Sequence, residues 1–179
     1  MLLEILKYPD PFLKTKAALV EKIDGSVLTL IKDMTETMYH AKGIGLAAVQ
    51  VGVNKRIAVL DVPPASEDRD APRRRGENLI ALINPRIIAT EGTTKYEEGC
   101  LSVPGITADV ERFQKVTVAA LGRDGRPFEI EAEGLFSIAL QHEIDHLDGM
   151  LFIDRLSRLK RDLIKRKLKK ALEAEDRAL

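Results

Sequence analysis

The chain has one cysteine, three histidines and no tryptophan in 179 residues, and aromatic side chains make up only 4% of it, so any core must be mainly aliphatic. A single cysteine excludes an internal disulfide, the pattern of a reducing compartment. Lysine plus arginine equals aspartate plus glutamate at 28 each, so no net charge draws the whole molecule to nucleic acid or to an anionic membrane. No stretch approaches the ~18 consecutive apolar residues of a membrane span. The opening segment MLLEILKYPD, Met1 to Asp10, lacks the basic stretch, long apolar run and small-residue cleavage site of a secretory signal. These absences set the expectation of a cytoplasmic protein with no membrane partner. With 45% hydrophobic residues an ordinary core is within reach, and residues 1–179 fit the size of one domain.

Local patterning orders the chain. After Asp24-Gly25-Ser26, the residues Val27, Leu30, Ile31, Met34 and Met38 recur at helical spacing. They predict a helix that stops near Lys42-Gly43, with a cation in its last turn and glycine just beyond. Arg56 to Val62 reads as a strand, and Pro63 to Gly76, polar and proline-rich, as an exposed loop. Leu79 to Glu133 reads as short strands separated by turns, with Asp124-Gly125 a hairpin signal. A helix from about Leu135 to Leu147 ends at Asp148-Gly149, and a last helix covers roughly Asp154 to Ala174. Helices and strands are segregated rather than alternating, which indicates an α+β fold.

The residues most able to do chemistry are His142-Glu143-Ile144-Asp145-His146, an H-E-x-x-H motif in a helical pattern. Four residues turn a helix by about 400°, so both imidazoles share one face and can hold one divalent metal. Glu143 points to the side, within reach of a water there. The flanking Leu135, Ile138, Ala139 and Leu147 are apolar, and burying this polar group without a metal would be costly. The bland reading is a chance match in an ordinary buried helix. The third histidine, His40, near the end of the first helix, suits a dipole or solvent role.

A third ligand is needed. The long metalloprotease motif fails because Phe152 stands where a third histidine belongs, although Gly149 fits. A downstream carboxylate (Asp154, Asp162, Glu173 or Glu175) is the weaker alternative, set in a strongly basic helix. Cys100, in Glu98-Gly99-Cys100-Leu101-Ser102, is the better one: thiolate suits a borderline or soft divalent ion, and Gly99 permits a close turn. Against this, a lone cysteine is most often a small buried hydrophobe.

Three segments together resemble the peptide deformylase family. Gly43-Ile44-Gly45-Leu46-Ala47-Ala48-Val49-Gln50 is similar to its first motif, Glu98 to Ser102 to its second and His142 to His146 to its third, in the family's order. The resemblance implies a small α+β domain with antiparallel sheets around a central H-E-x-x-H helix, plus an N-terminal and a C-terminal helix. It implies Cys100, His142 and His146 as metal ligands and Glu143 as the acid–base group for an attacking water. The Gln50 side-chain amide and the Leu101 backbone N–H would stabilise the oxyanion. Ile44 and Gly45 would pair with an extended N-formylmethionyl peptide, and Ile44, Leu135, Ile138 and Ala139 would form the methionine pocket, with Tyr96 and Gly99 at its edge. The implied cofactor is Fe(II), replaceable by nickel or cobalt, whereas ligand type alone favours zinc. Many relatives carry an arginine where this chain has Gly105-Ile106-Thr107, so peptide recognition here is looser or uses Arg112. The Pro63–Gly76 loop is also longer than in short family members.

The C-terminal helix pattern carries nine cations between Asp154 and Lys170 (Arg155, Arg158, Lys160, Arg161, Lys165, Arg166, Lys167, Lys169 and Lys170) beside an apolar side of Leu156, Leu159, Leu163, Ile164 and Leu168. Such a pattern is usually a solvated amphipathic helix. In this family it would reach ribosomal RNA near the nascent chain. Two rival readings stand at this point: a zinc endopeptidase, and a non-catalytic ribosome- or RNA-binding module whose metal is structural.

Overall fold

In the computed structural model, residues 1–64 and 75–177 are described, so most of the expected Pro63–Gly76 loop lies outside the described residues. Helix α1 spans Gly25–His40, and Asp24 caps it by accepting from the N–H groups of Ser26 and Val27. Val27, Ile31, Met34 and Met38 are buried and Leu30 partly so, which matches the expected face. Each buried side chain of this size contributes about 1.5–3 kcal/mol over leaving it in water. The helix ends one residue earlier than its glycine suggested. Lys42, at φ 58°, takes the left-handed position, while Lys42 N–H and Gly43 N–H donate back to Tyr39 and Met38 carbonyls.

Five antiparallel strands follow in sheet order β1 (Gly45–Ala47), β2 (Ile57–Asp61), β3 (Leu79–Cys100), β4 (Val103–Leu121) and β5 (Pro127–Glu133). The expectation of short strands is corrected here: β3 runs 22 residues and β4 runs 19. The turn-like residues within them are absorbed by register shifts near Ile83, Ile87 and Gly99 rather than ending the ladder. β3 pairs with β2 from Leu79 to Ile83 and with β4 from Ile83 onward, so it passes from one partner to the next at Asn84-Pro85. Asn84 has φ 54°, and its side-chain amide exchanges hydrogen bonds with both backbone groups of Val20. β4 and β5 are joined across Asp124-Gly125, as the hairpin signal predicted.

Helix α2 (Gly134–Leu147) packs against the sheet through Ala139, Leu140, Ile144 and Leu147, meeting Val116, Val118 and Ala132 in one core cluster. A second cluster lies between α1 and β1–β2, and a third joins the far end of β3–β4 to Leu13, Leu151, Phe152 and Leu168. α2 also buries Ser137 and Gln141, whose polar groups are met by Phe113 of β4. Gln141 accepts from Phe113 N–H at 2.9 Å and donates to its carbonyl at 2.8 Å, acting as one extra strand residue. After α2, Gly149 (φ 76°) passes so close to the Lys14 backbone that a side chain would collide with it.

The expected helix from Asp154 is also corrected. A 3-10 turn, Phe152–Arg155, uses Asp154 to accept from Leu151 N–H, and α3 begins only at Arg158 and runs to Arg177. Ser157 supplies the break, its hydroxyl accepting from Lys160 N–H at 3.4 Å. The architecture is α+β, with α2 surrounded by sheet, as expected. Among the described residues no helix is long and apolar enough to cross a membrane.

Candidate metal centre and active site

Three segments far apart in sequence meet at α2. Cys100 ends β3, Leu101 and Ser102 form the turn into β4, and His142 and His146 lie one helical turn apart. Cys100 Sγ lies 3.2 Å from His146 Nε2, which lies 3.2 Å from His142 Nε2. The three candidate ligand atoms all fall within 4.8 Å of one another. A tetrahedral ion with bonds of about 2.0–2.3 Å would space such donors by about 3.3–3.6 Å, so one soft-to-borderline divalent ion fits this donor set. His40 is exposed at the end of α1 and is not in this group. Asp154 is committed elsewhere, bonded to Lys14 and Leu151 N–H.

The tautomer of His142 is set from behind. Its Nδ1 lies 2.8 Å from Glu98 Oε1, leaving Nε2 to face Cys100 and His146. Glu98 in turn receives two hydrogen bonds from Arg112, at 2.7 and 2.9 Å. Arg112 continues to Asp145 at 2.5 Å, and Asp145 receives two more bonds from Arg155. Burial would raise the Glu98 carboxyl, but the Arg112 and His142 hydrogen bonds outweigh it and hold its pKa below the usual value. Desolvation likewise opposes charge on His142, and bonds to Cys100 and Glu98 overcome it. His146 goes the other way: desolvation and the neighbouring His142 and Arg112 keep it neutral. Sequence reasoning missed Glu98, Asp145, Arg155 and Ser102. Glu98, Asp145 and Ser102 sat inside the quoted motifs, but nothing in the spacing tied them to partners.

Glu143 is the other distinctive group. It is 4% exposed, and its Oε2 has no protein partner among the described residues. Burial pushes its carboxyl up to about 7. Its carboxylate rests on Gly45: a Cβ there would lie 2.8 Å from the carboxyl carbon, so only glycine lets it occupy this place. Gln50, buried in the turn Ala48–Val51, puts its Nε2 3.7 Å from Cys100 Sγ.

These groups open onto a cavity of about 450 Å³. Ile44, Gly45, Tyr96, Gly99, Leu135, Ile138 and Ala139 all line it, together with Gln50, Cys100, Leu101, His142 and Glu143. The lining continues past Val103 to Gly105, Ile106 and Thr107. Arg112 is not among the residues that line this cavity. It is 3% exposed and its guanidinium is spent on Glu98 and Asp145, so the expectation that it holds peptide is withdrawn. β1 is one of the two outer strands of the sheet order, and its residue Gly45 borders the cavity.

Two helix histidines and a thiol that could hold one metal ion, beside a buried carboxyl at an apolar cleft, are the kind of donor set a mononuclear metal-dependent hydrolase uses. The sequence profile of the family described as polypeptide deformylase matches residues 2–162. The peptide deformylase of Syntrophobacter fumaroxidans is 53% identical over 172 residues, covering 96% of each chain. That of Pseudomonas aeruginosa is 54% identical over 170 residues, 94% of this chain and 95% of the relative. The crystal structure of a peptide deformylase from Legionella pneumophila superposes with a TM-score of 0.85 at 47% identity, covering 99% of each chain. One from Ehrlichia chaffeensis in complex with actinonin gives 0.85 at 43% identity, covering 95% of this chain and 97% of that one. The chain belongs to the polypeptide deformylase family, a family of metal-dependent hydrolases.

Proposed function

We propose that residues 1–179 form one catalytic domain in which Cys100, His142 and His146 hold a single divalent ion. The reaction is removal of the formyl group from the N-terminal formyl-methionine of new proteins. One observation carries the reading: three donor atoms cluster beside a buried carboxyl whose Oε2 has no partner among the described residues, and Cys100, His142 and Glu143 of this group line an apolar cavity. When bound, the ion polarises a carbonyl oxygen and lowers the pKa of water from 15.7 to about 7. Family resemblance favours Fe(II), with nickel, cobalt or zinc as substitutes.

Glu143 takes the proton of the water that attacks the formyl carbon. With a pKa near 7 it can return that proton to the departing amine as the C–N bond breaks, leaving formate and a free α-amine. Gln50 Nε2–H and the Leu101 backbone N–H face the developing oxyanion, and losing one such donor typically costs ~10²–10³ in turnover. The peptide runs beside Ile44 and Gly45 as an added strand. Its methionine side chain fills the pocket of Ile44, Leu135, Ile138 and Ala139, with Tyr96 and Gly99 at the rim. The basic face of α3 contacts ribosomal RNA, which would place this cytoplasmic enzyme near its nascent substrates.

The test is formate release from a formyl-methionyl tripeptide by protein purified under nitrogen and supplied with ferrous or nickel ion. Glu143→Gln should bind the ion normally and lose turnover by ~10²–10⁴. Metal-loaded, folded protein that releases no formate would defeat the reading.

A further inference from the structure

Gln50 has an amide whose orientation is dictated by its neighbours. Its Oε1 accepts from Ala47 N–H at 2.9 Å. A backbone N–H only donates, so the oxygen must face Ala47 and the nitrogen must face away. Nε2 donates to Ser102 Oγ at 3.1 Å and to Cys100 Sγ at 3.7 Å. An amide nitrogen has two hydrogens. Ser102 occupies one, which leaves the other directed to the Cys100 side, where the reaction takes place.

Ser102 is completely buried. Two backbone bonds from one short N-terminal stretch fasten it beside Gln50: Leu6 N–H donates to the Gln50 carbonyl at 2.7 Å and Tyr8 N–H to the Ser102 carbonyl at 2.8 Å. The turn carrying Gln50 and the turn carrying Ser102 are thus held by two residues of the same stretch, Leu6 and Tyr8. The terminal torsion of a glutamine is broad, so without an acceptor at Ser102 the amide would be free to tilt about its Ala47 bond.

We propose that Ser102 is a positioning residue for deformylation: its hydroxyl holds the Gln50 amide so that the second N–H stays aimed at the oxyanion. This rests on the oxyanion role proposed for Gln50. A purely structural or metal-supporting role is distinguishable, because Ser102 touches Cys100 Sγ through its backbone N–H at 3.4 Å, and that contact survives replacement of the side chain.

The experiment compares the nickel-loaded wild type with Ser102→Ala, Gln50→Ala and the double variant on a formyl-methionyl tripeptide. Nickel affinity is measured alongside by chelator competition. Gln50→Ala should lower kcat by ~10²–10³. Ser102→Ala should lower kcat by about 5- to 30-fold with KM within about twofold, the signature of an interaction made in the transition state. The double variant should be no more than about twofold slower than Gln50→Ala, since Ser102 acts only through Gln50. Ser102→Cys, nearly isosteric with a weaker acceptor, should fall between serine and alanine and serves if the alanine variant does not fold. Full kcat in Ser102→Ala beside a slow Gln50→Ala overturns the proposal and leaves the Gln50 role standing. Additive losses, or weakened nickel binding by Ser102→Ala, also overturn it. An unimpaired Gln50→Ala removes both.

Discussion

Helices α2 and α3 both carry many polar and charged side chains, and they use them in opposite ways. Behind α2 one line of polar links joins His142 and Asp145 of the helix to Glu98 of β3, Arg112 of β4 and Arg155 of the following turn, buried at Glu98, Arg112 and Asp145 and with every link at 2.9 Å or less. On α3, among the described residues, only Leu168 is buried and the one ion pair is Arg158–Asp162 at 4.0 Å across a single turn. The cations of α3 outnumber those behind α2, yet charge density in sequence says little about energetic consequence. Desolvation decides it: a buried charge depends wholly on its partners, and an exposed one on water.

The contrast can be broken most severely at the ligands. Cys100→Ala should abolish stoichiometric metal binding, measured by metal analysis after gel filtration, and with it all turnover. Gly45→Ala comes next. Its methyl group would displace the Glu143 carboxylate, and a shift of about 1 Å near the reacting atoms costs ~10²-fold in kcat. Metal content should stay normal, so a variant with full kcat would show that Glu143 need not sit on Gly45.

Arg112→Leu tests the buried line itself. It strands Glu98 and half of Asp145, and a loss of about 3–5 kcal/mol in urea unfolding is expected. Tyr39 is an intermediate case, half-buried with its hydroxyl donating to Asp61 at 2.6 Å. Desolvation and that carboxylate push its pKa up to about 12 against an ordinary 10. A raised folded-state pKa gives stability that is complete below pH 10 and lost as the pH climbs through 12. Tyr39→Phe should therefore flatten the alkaline limb of a stability–pH curve, and an unchanged limb would count against the Asp61 contact. At the far end, Lys167→Gln with Lys169→Gln should change stability by less than ~0.5 kcal/mol and leave tripeptide hydrolysis intact. The same pair should weaken co-sedimentation with ribosomes if α3 meets RNA, most at low salt, and should flatten its salt dependence.

Much of this was legible in residue order, for identifiable reasons. α1 and α2 were readable because apolar spacing, the Asp24 cap and the Asp148-Gly149 stop all agree. The lengths of β3 and β4 were not, because bulges imitate turns when only the chain is visible. The start of α3 was misplaced because Asp154 serves a tight turn before Ser157. The candidate ligands fall within short motifs and could be nominated directly. Arg112 could not be placed, since its partners lie 14 and 33 positions away and only the folded sheet joins them.

The exchange of partners along β3 has a consequence for how the molecule assembles. Cys100 stands at the end of a 22-residue strand whose first residues pair with β2 and whose remainder pairs with β4. His146 lies 46 positions further along the chain. A pocket built from such distant pieces belongs to the native state alone, and late contacts of this kind slow folding. An ion bound there acts by mass action as a clasp, adding about 2.7 kcal/mol to unfolding at a free concentration one hundred times its Kd. Chelation would accordingly loosen strand, helix and N-terminal segment together, and the melting temperature would report metal occupancy as faithfully as the reaction does.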